Sequence, residues 1–323
     1  VLHIGIRPDG QDTPLQVHKE PLRIELGTTR KDLTLGNLPR DLAEWSESSP
    51  ANHEIIVALV AGGSRHVLTK RFGLRTFGAK GRDLLINGRK TFLRGNLECA
   101  IFPQTGHPDA KGRQWEKIMA VSRAHGLNHL RFHSWCPPEA AFEAADRHGL
   151  YLQVELPNWT FKMGHVPPVD AFLRSEGERI FREYGHHPSF VLFSLGNELK
   201  GDLKSMDALI EHFRKLAPDL LFTSTSYAFS PRGALPGPRD DFFISQKTKS
   251  GWVRGQGFLN VNFPSTDTDY ATGLECLDIP LVTHEVGQYV VYPNLAELPK
   301  YKSSPLRPTA LEAIRADLKE KHL

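Results

Sequence analysis

The stretch His186-His187-Pro188-Ser189-Phe190-Val191-Leu192-Phe193-Ser194-Leu195-Gly196-Asn197-Glu198 decides how this chain is read. Residues 190–195 form a near-continuous apolar run of strand length, the pattern of a parallel strand buried on both faces. Upstream, Leu173, Ile180, Phe181 and Tyr184 recur at helical spacing, with Asp170 as the expected cap and Gly185 as the expected left-handed stop. Downstream, Met206, Leu209, Ile210 and Phe213 mark the next helix. The same alternation extends in both directions. Strands are expected at 91–93, 127–132, 150–154, 190–195, 220–224, 242–244 and 279–282. Trp115, Ile118, Met119 and Ser122 fit a helix stopped by Gly126, while Phe142 and Ala145 follow Pro138 and stop at Gly149. A last helix carries Leu311, Ile314 and Leu318 on one face. Repeated strand-then-helix order predicts an α/β fold, either a (β/α)8 barrel or a doubly wound sheet. No GxGxxG or GxxxxGK[ST] follows a first strand, which lowers the nucleotide-binding sheet.

Before residue 76 the texture differs. Strand-like segments at 2–6, 22–26, 33–35, 55–60 and 66–72 alternate with turn chemistry such as Pro8-Asp9-Gly10 and Ala61-Gly62-Gly63. This predicts part of an antiparallel β-sandwich over 1–76, followed by the α/β domain over 77–323.

Composition narrows the partners. Forty basic against 37 acidic residues give +3, too weak and dispersed for a nucleic-acid partner. No run approaches the ~18 apolar residues of a membrane span. Cys99, Cys136 and Cys276 are far apart with no CxxC pair, so they read as buried thiols rather than a disulfide framework or zinc site. Val1 opens the chain without a basic segment followed by an apolar one, so the compartment stays open. The oligomeric state cannot be read.

In a parallel barrel, reactive groups project from the C-terminal ends of strands. The polar residues in those places are Arg94 and Asn96; Arg131, His133 and Trp135; Glu155 and Trp159; Asn197 and Glu198; Ser224 and Tyr227; His284 and Glu285. Two glutamates, Glu198 and Glu285, each end an apolar run. Paired carboxylates over one cleft are the equipment of glycoside hydrolysis, in which one protonates the leaving oxygen and the other attacks the anomeric carbon. Arg131 and Arg94 are the cations available to hold the attacking group ionised. Trp135 and Trp159 either stack on sugar faces or fill core, their places just past strand ends favouring the pocket, Tyr227 either orients the nucleophile or packs the rim, and Glu155 either pairs with Arg131 or meets substrate. His186-His187 reads as the turn before the fourth strand, and His284-Glu285 lacks the second histidine of HExxH, so no metal site is expected.

The opening stretch resembles the "NHPS…WSLGNE" signature of glycoside hydrolase family 2. Trp45-Ser46 with Arg71-Phe72-Gly73-Leu74-Arg75-Thr76-Phe77 is similar to that family's "WSP…FGFRTF" passage. Leu84-Leu85-Ile86-Asn87-Gly88-Arg89-Lys90 with Leu93-Arg94-Gly95-Asn96 is similar to its "LNGKPxxLRGxN". Asn128-His129-Leu130-Arg131 matches "NxxR", and Asp146-Arg147-His148-Gly149-Leu150-Tyr151-Leu152-Gln153-Val154-Glu155 matches "DxxGLxVxxE". The matches run in register from about Trp45 to about Tyr292. The resemblance implies a TIM (β/α)8-type barrel, lacking its last strand within this chain, after part of an immunoglobulin-like β-sandwich. It implies a retaining, exo-acting hydrolase of a terminal O-glycosidic bond, with Glu198 as acid/base and Glu285 as nucleophile. Asn197 would donate to the sugar 2-hydroxyl, and Arg94, Asn96 and Arg131 would form the pocket floor. No cofactor is implied, and the partner is a carbohydrate chain end. With seven strands counted and no sugar-binding jelly roll, the chain is expected to be a piece of a longer protein.

The sequence departs from the family around the sugar. Asn96-Leu97-Glu98-Cys99 replaces a histidine-rich passage, and Phe132-His133-Ser134-Trp135 replaces "SHYP", leaving either His133 or Ser134 in the histidine's role. Val286-Gly287-Gln288 replaces the usual tyrosine-glycine. The alternative from another class is a carbohydrate-binding barrel without turnover.

Overall fold

The computed structural model describes residues 1–21, 23, 27, 32–227, 235–254, 269–287 and 292–323. Near the amino terminus, β1 (Leu2–Pro8) pairs antiparallel with β2 (Gln16–Glu20) and with β3 (His53–Ala61), and β3 pairs with β4 (Ser64–Phe72). Leu2, Ile4 and Ile6 bury one face. The outer strand β4 carries Arg65, His66, Lys70 and Arg71, charges that discourage pairing with another chain. The expected strand at 33–35 is absent, its residues being partly or fully exposed loop. Of the one expected at 22–26 only residue 23 is described. The polar Gln16–Glu20 strand was not expected, because it gains its place from pairing with β1 and not from apolar alternation.

A short antiparallel sheet follows: β5 (Phe77–Lys80), β6 (Asp83–Ile86) and β7 (Arg89–Thr91). Asn87 and Gly88, with φ of 50° and 75°, form the two-residue turn between β6 and β7. This corrects the strand expected at 91–93. Thr91 closes that hairpin, and the first parallel strand is β8 (Gly95–Glu98).

From there the chain is mixed α/β. The strands β8, β9 (His129–Phe132), β10 (Tyr151–Glu155), β11 (Phe190–Ser194) and β12 (Leu221–Thr223) lie side by side, parallel and in chain order. Helices α1 (Arg113–Ala124), α2 (Glu139–His148), α3 (Pro167–Tyr184) and α4 (Leu203–Leu216) fill the intervals. Beyond β12, β13 (Phe243–Ser245) precedes a small hairpin of β14 (Lys247–Thr248) and β15 (Gly251–Trp252), then pairs in parallel with β16 (Leu281–Thr283). Single parallel bridges, Asn197 to Ser226 and Ser226 to Ile244, carry the pairing from the exit of β11 across to β13. Among the described residues, β8 and β16 each keep an outer edge without a strand partner.

The helix ends hold two further corrections. Gly126 and Gly149 are left-handed as expected, with φ of 75° and 72°, but Gly185 is right-handed at −62°. Asp170 is not the cap of α3, which opens on Pro167. Its carboxylate instead accepts from the Gly164 and Val166 backbone amides at 2.9 and 3.1 Å, bracing the loop that enters the helix. The last helix, α5 (Thr309–Glu320), buries none of its residues.

Phe181, Phe193, Phe213 and Phe222 pack edge to face between the parallel sheet and α3 and α4, an arrangement favoured by the ring quadrupoles. Trp45 is fully buried and donates through its indole to the Asp146 carbonyl at 2.9 Å. Beside it, a Cβ on Gly73 would stand 2.5 Å from Pro188, so only glycine lets this backbone meet the turn that enters β11. Arg75 donates to the carbonyls of Pro188, Asp219 and Phe190 at 3.0, 2.9 and 2.7 Å, and burial pushes its pKa down to about 10. The cysteines are not the buried thiols expected: Cys99 is exposed, and Cys136 and Cys276 are partly so. No helix among the described residues is long and apolar enough to cross a membrane.

Candidate active site

The C-terminal ends of five of the parallel strands, β8, β9, β11, β12 and β16, share a backbone feature. Ala100, Ser134, Glu198, Tyr227 and Glu285 all have positive φ, between 51° and 73°, and each lies within four residues after a parallel strand. Left-handed backbone at a residue other than glycine is uncommon and collects at functional sites, where the surrounding structure holds it. The approach to Glu198 is equally constrained. Gly196 has φ 139°, and a Cβ there would stand 2.2 Å from the Asn158 carbonyl oxygen.

Arg131 on β9 organises the charges. Its Nε and Nη2 donate to Glu155 at 2.7 and 3.2 Å, Nη2 also donates to Asn197 Oδ1 at 2.6 Å, and Nη1 reaches Glu285 Oε1 at 3.4 Å. Glu155 is fully buried and also accepts from Gln153, the Ser134 amide and the Ser226 hydroxyl. A buried carboxylate so fully satisfied is a fixed counter-ion. The expectation of Glu155 as a substrate contact is therefore corrected, since it is fully buried and paired with Arg131.

His284 stacks on Tyr227, with ring centres 5.4 Å apart, and is 1% exposed. Burial, assisted by Arg131, Arg254 and His133, pushes its pKa down to about 2. It is neutral at ordinary pH. The Gln246 amide lies 3.3 Å from Nδ1; as donor there, it leaves the ring proton on Nε2. That proton faces Asn197 Oδ1 at 3.3 Å and Glu285 Oε1 at 3.3 Å. His133 Nε2 stands 3.8 Å from the same Glu285 oxygen, so His133 reaches the site while the Ser134 amide turns to Glu155.

Glu198 has a different environment. Burial raises its pKa above the ordinary glutamate value, and the charge of Glu285 raises it further. His133, Arg131 and a hydrogen bond from Trp159 oppose the shift without cancelling it. Trp159 is 60% exposed and packs edge-on against His133 at 5.3 Å. The structure thus gathers Arg131, His133, Trp159, Asn197, Tyr227 and His284 around the two glutamates.

Asn96 is exposed on β8 and lines, with Arg131, His284 and Glu285, a cleft of about 900 Å³ between β8 and β16. Two other expected contacts lie elsewhere. Arg94 precedes β8, at the opposite end of the strand, and donates to the Gly126 and Phe92 carbonyls at 2.7 and 3.2 Å. Trp135 packs among Phe102, Trp115 and Phe132. Both are corrections: the first polar residue beside a strand can face the wrong end, and an aromatic past a strand can turn into the core. Ser224, also just past a strand, is fully buried and bonds Asp240.

Sequence reasoning missed Gln246 and Arg254. Gln246 directly follows β13 and obeys the same rule of position that found the others. Arg254 is 5% exposed, and burial lowers its pKa while Glu285 and Tyr227 raise it; it sits in a loop with no pattern to announce it. Of the Val286-Gly287-Gln288 departure, Gln288 lies outside the described residues. Among the described residues, the histidine and carboxylate grouping with metal-ligand spacing is not here but at Glu139, His186 and His187.

No protein-family model matches the chain. Curated proteins do. A β-galactosidase of Lactococcus lactis subsp. lactis is 26% identical over 162 residues, 48% of this chain and 16% of that protein. A β-galactosidase large subunit of Latilactobacillus sakei is 24% identical over 199 residues, 56% of this chain and 31% of that protein. The chain thus spans about a sixth to a third of the length of these relatives. Among solved structures, a β-glucuronidase of Parabacteroides merdae superposes with a TM-score of 0.60 at 17% identity, covering 68% of this chain and 29% of that one. A glycosyl hydrolase family 2 member of Bacteroides cellulosilyticus gives 0.58 at 17% identity, over 69% and 30%. In sequence this chain is similar to part of these β-galactosidases, and in fold to part of a β-glucuronidase and of a glycosyl hydrolase family 2 member.

Proposed function

We propose that the chain carries the catalytic centre of a retaining glycoside hydrolase acting at the end of a carbohydrate, through Glu285 and Glu198. The observation that carries this reading is the unequal setting of two carboxylates at one end of a parallel sheet. Glu198 has a raised pKa, which suits a proton donor, while Glu285 faces the Arg131 guanidinium, which suits an anionic nucleophile. In the first step the Glu285 carboxylate attacks the anomeric carbon, and Glu198 gives its proton to the departing oxygen. In the second, Glu198, now a base, takes a proton from water, which displaces Glu285 from the sugar. Asn197 offers its Oδ1 to Arg131 and His284, so its amide nitrogen is the group left to donate to a sugar hydroxyl. His284, neutral and donating, steadies the nucleophile without adding a second full charge. Asn96, His133, Trp159 and Tyr227 would contact the sugar.

The parallel order from β8 to β12, continued by single bridges to β13 and by the parallel pairing of β13 with β16, supports the first seven strands of a (β/α)8 barrel over 77–323. Residues 1–76 would then be part of an immunoglobulin-like sandwich. The relatives' names make β-galactosides and β-glucuronides the first sugars to try. The test is to incubate the protein with activated 2-fluoro glycosides of several sugars and weigh it intact. A mass gain from one sugar, mapped to the peptide containing Glu285, is expected. Sugar binding without a mass gain from any reagent would favour the carbohydrate-binding alternative.

A further inference from the structure

A second cluster lies outside the candidate active site, where the turn entering β11 meets the start of α2. His187 is 2% exposed, and its Nδ1 lies 2.6 Å from Asp146 Oδ2. The other Asp146 oxygen accepts from the Ser189 amide at 3.0 Å, so that carboxylate is fixed and holds the His187 ring in one orientation. With the ring proton committed to Asp146, Nε2 keeps a lone pair. That nitrogen is buried and has no hydrogen-bond partner among the described residues. Buried polar atoms are normally satisfied, and an orphan calls for a reason. Beside it, the His186 ring lies 4.2 Å away, centre to centre. His186 is half-buried there, and its imidazole supplies a second nitrogen donor beside that of His187. Glu139 completes the group: one ligand atom from each of the three residues lies within 4.8 Å of the others.

We propose that Glu139, His186 and His187 form a binding site for a borderline divalent cation of the Zn²⁺ type, with Asp146 orienting His187 from behind. The inference is independent of the glycosidase reading. Two imidazole nitrogens and one carboxylate oxygen are a donor set suited to Zn²⁺, leaving a fourth position for water. A carboxylate on the far nitrogen of a ligating histidine is the usual outer support of such sites. The ligand atoms must draw together to reach bonds of about 2.0–2.2 Å, and the half-exposed Glu139 side chain is free to rotate inward. Its present partner is Lys70, whose Nζ sits 2.7 Å from Oε1 and is 46% exposed. That ammonium competes with a cation for the same oxygen and can retreat into solvent. The site would clamp α2 to the entry of β11.

Calorimetric titration of the chelator-treated protein with ZnCl2, paired with thermal unfolding with and without the ion, tests this. Saturable binding of one ion per chain is expected, with a Tm that rises with zinc concentration. Glu139→Gln and His186→Asn should each weaken binding at least tenfold while leaving the zinc-free Tm near that of the parent. Lys70→Met should tighten it, a change that binding at an unrelated site would not show. His187 is left intact because it is tied to Asp146 in the core. Absence of saturable binding in the parent would overturn the proposal, as would affinities for the Glu139 and His186 variants within twofold of the parent.

Discussion

At the scale of single residues, the site depends on side chains that hold one another in unequal states. Glu198 is the case where a direction can be checked. A hydrogen bond from Trp159 stabilises its charged form and so lowers a pKa that burial and Glu285 have raised. Replacing Trp159 with phenylalanine keeps an aromatic ring but removes the donor, and the Glu198 pKa should rise further. If Glu198 is the proton donor, the alkaline limb of kcat/KM reports its loss of a proton, and Trp159→Phe should move that limb to higher pH. A limb that stays put, measured on a glycoside with a poor leaving group, would remove Trp159 from that role. Which residues stand past strand ends was legible in the sequence; which way they turn was not. Arg131, Asn197, His284 and both glutamates converge. Arg94 and Trp135, chosen by the same rule, do not, because the direction of a side chain depends on neighbours from other elements.

At the scale of elements, local chemistry fixed some starts and stops, and tertiary contacts decided others. Asp202 caps α4, its carboxylate accepting from the Lys204 and Ser205 amides at 3.3 and 3.1 Å. Asp202→Ala should lower the midpoint of chemical denaturation, with little effect on the site. Gly196 is a stronger constraint. An alanine there meets both a left-handed backbone and the Asn158 carbonyl. Gly196→Ala should destabilise the protein by more than about 2 kcal/mol and displace Glu198 with it. Equal stability and activity in that variant would show that the strand exit relaxes freely. The two elements whose ends were misjudged, α3 and the hairpin closing at Thr91, were decided by contacts with a neighbouring loop or strand.

At the scale of the whole molecule, buried neutral histidines set the response to acid. His129 and His284 are 3% and 1% exposed, and burial leads the depression of their pKa values to about 3 and about 2. In the unfolded chain each takes a proton near the ordinary histidine pKa of about 6.5. The unfolded state therefore binds more protons below that pH, and stability falls as pH falls. The stabilisation is complete above about pH 6.5 and is lost progressively toward the folded pKa values, by up to about 1.4 kcal/mol per pH unit for each residue. Denaturation midpoints measured from pH 7 down to pH 5 should drop accordingly, and His284→Gln should make the slope shallower. A flat profile would mean that these rings take up protons in the folded state.

The alternation of apolar strands and amphipathic helices was legible in the order of residues alone, because burial on both faces of a parallel sheet demands continuous apolar runs and helix faces demand a 3.6-residue period. So were the candidate carboxylates, since a polar group just after such a run must lie at a strand end. Their company was set by the packing of one element against another. That Glu155 serves Arg131, that His284 is neutral with Gln246 at its Nδ1, and that Arg254 feels the charge of Glu285 all follow from contacts between segments far apart in the chain. The environment that shifts a pKa is built across elements, and no local pattern carries it.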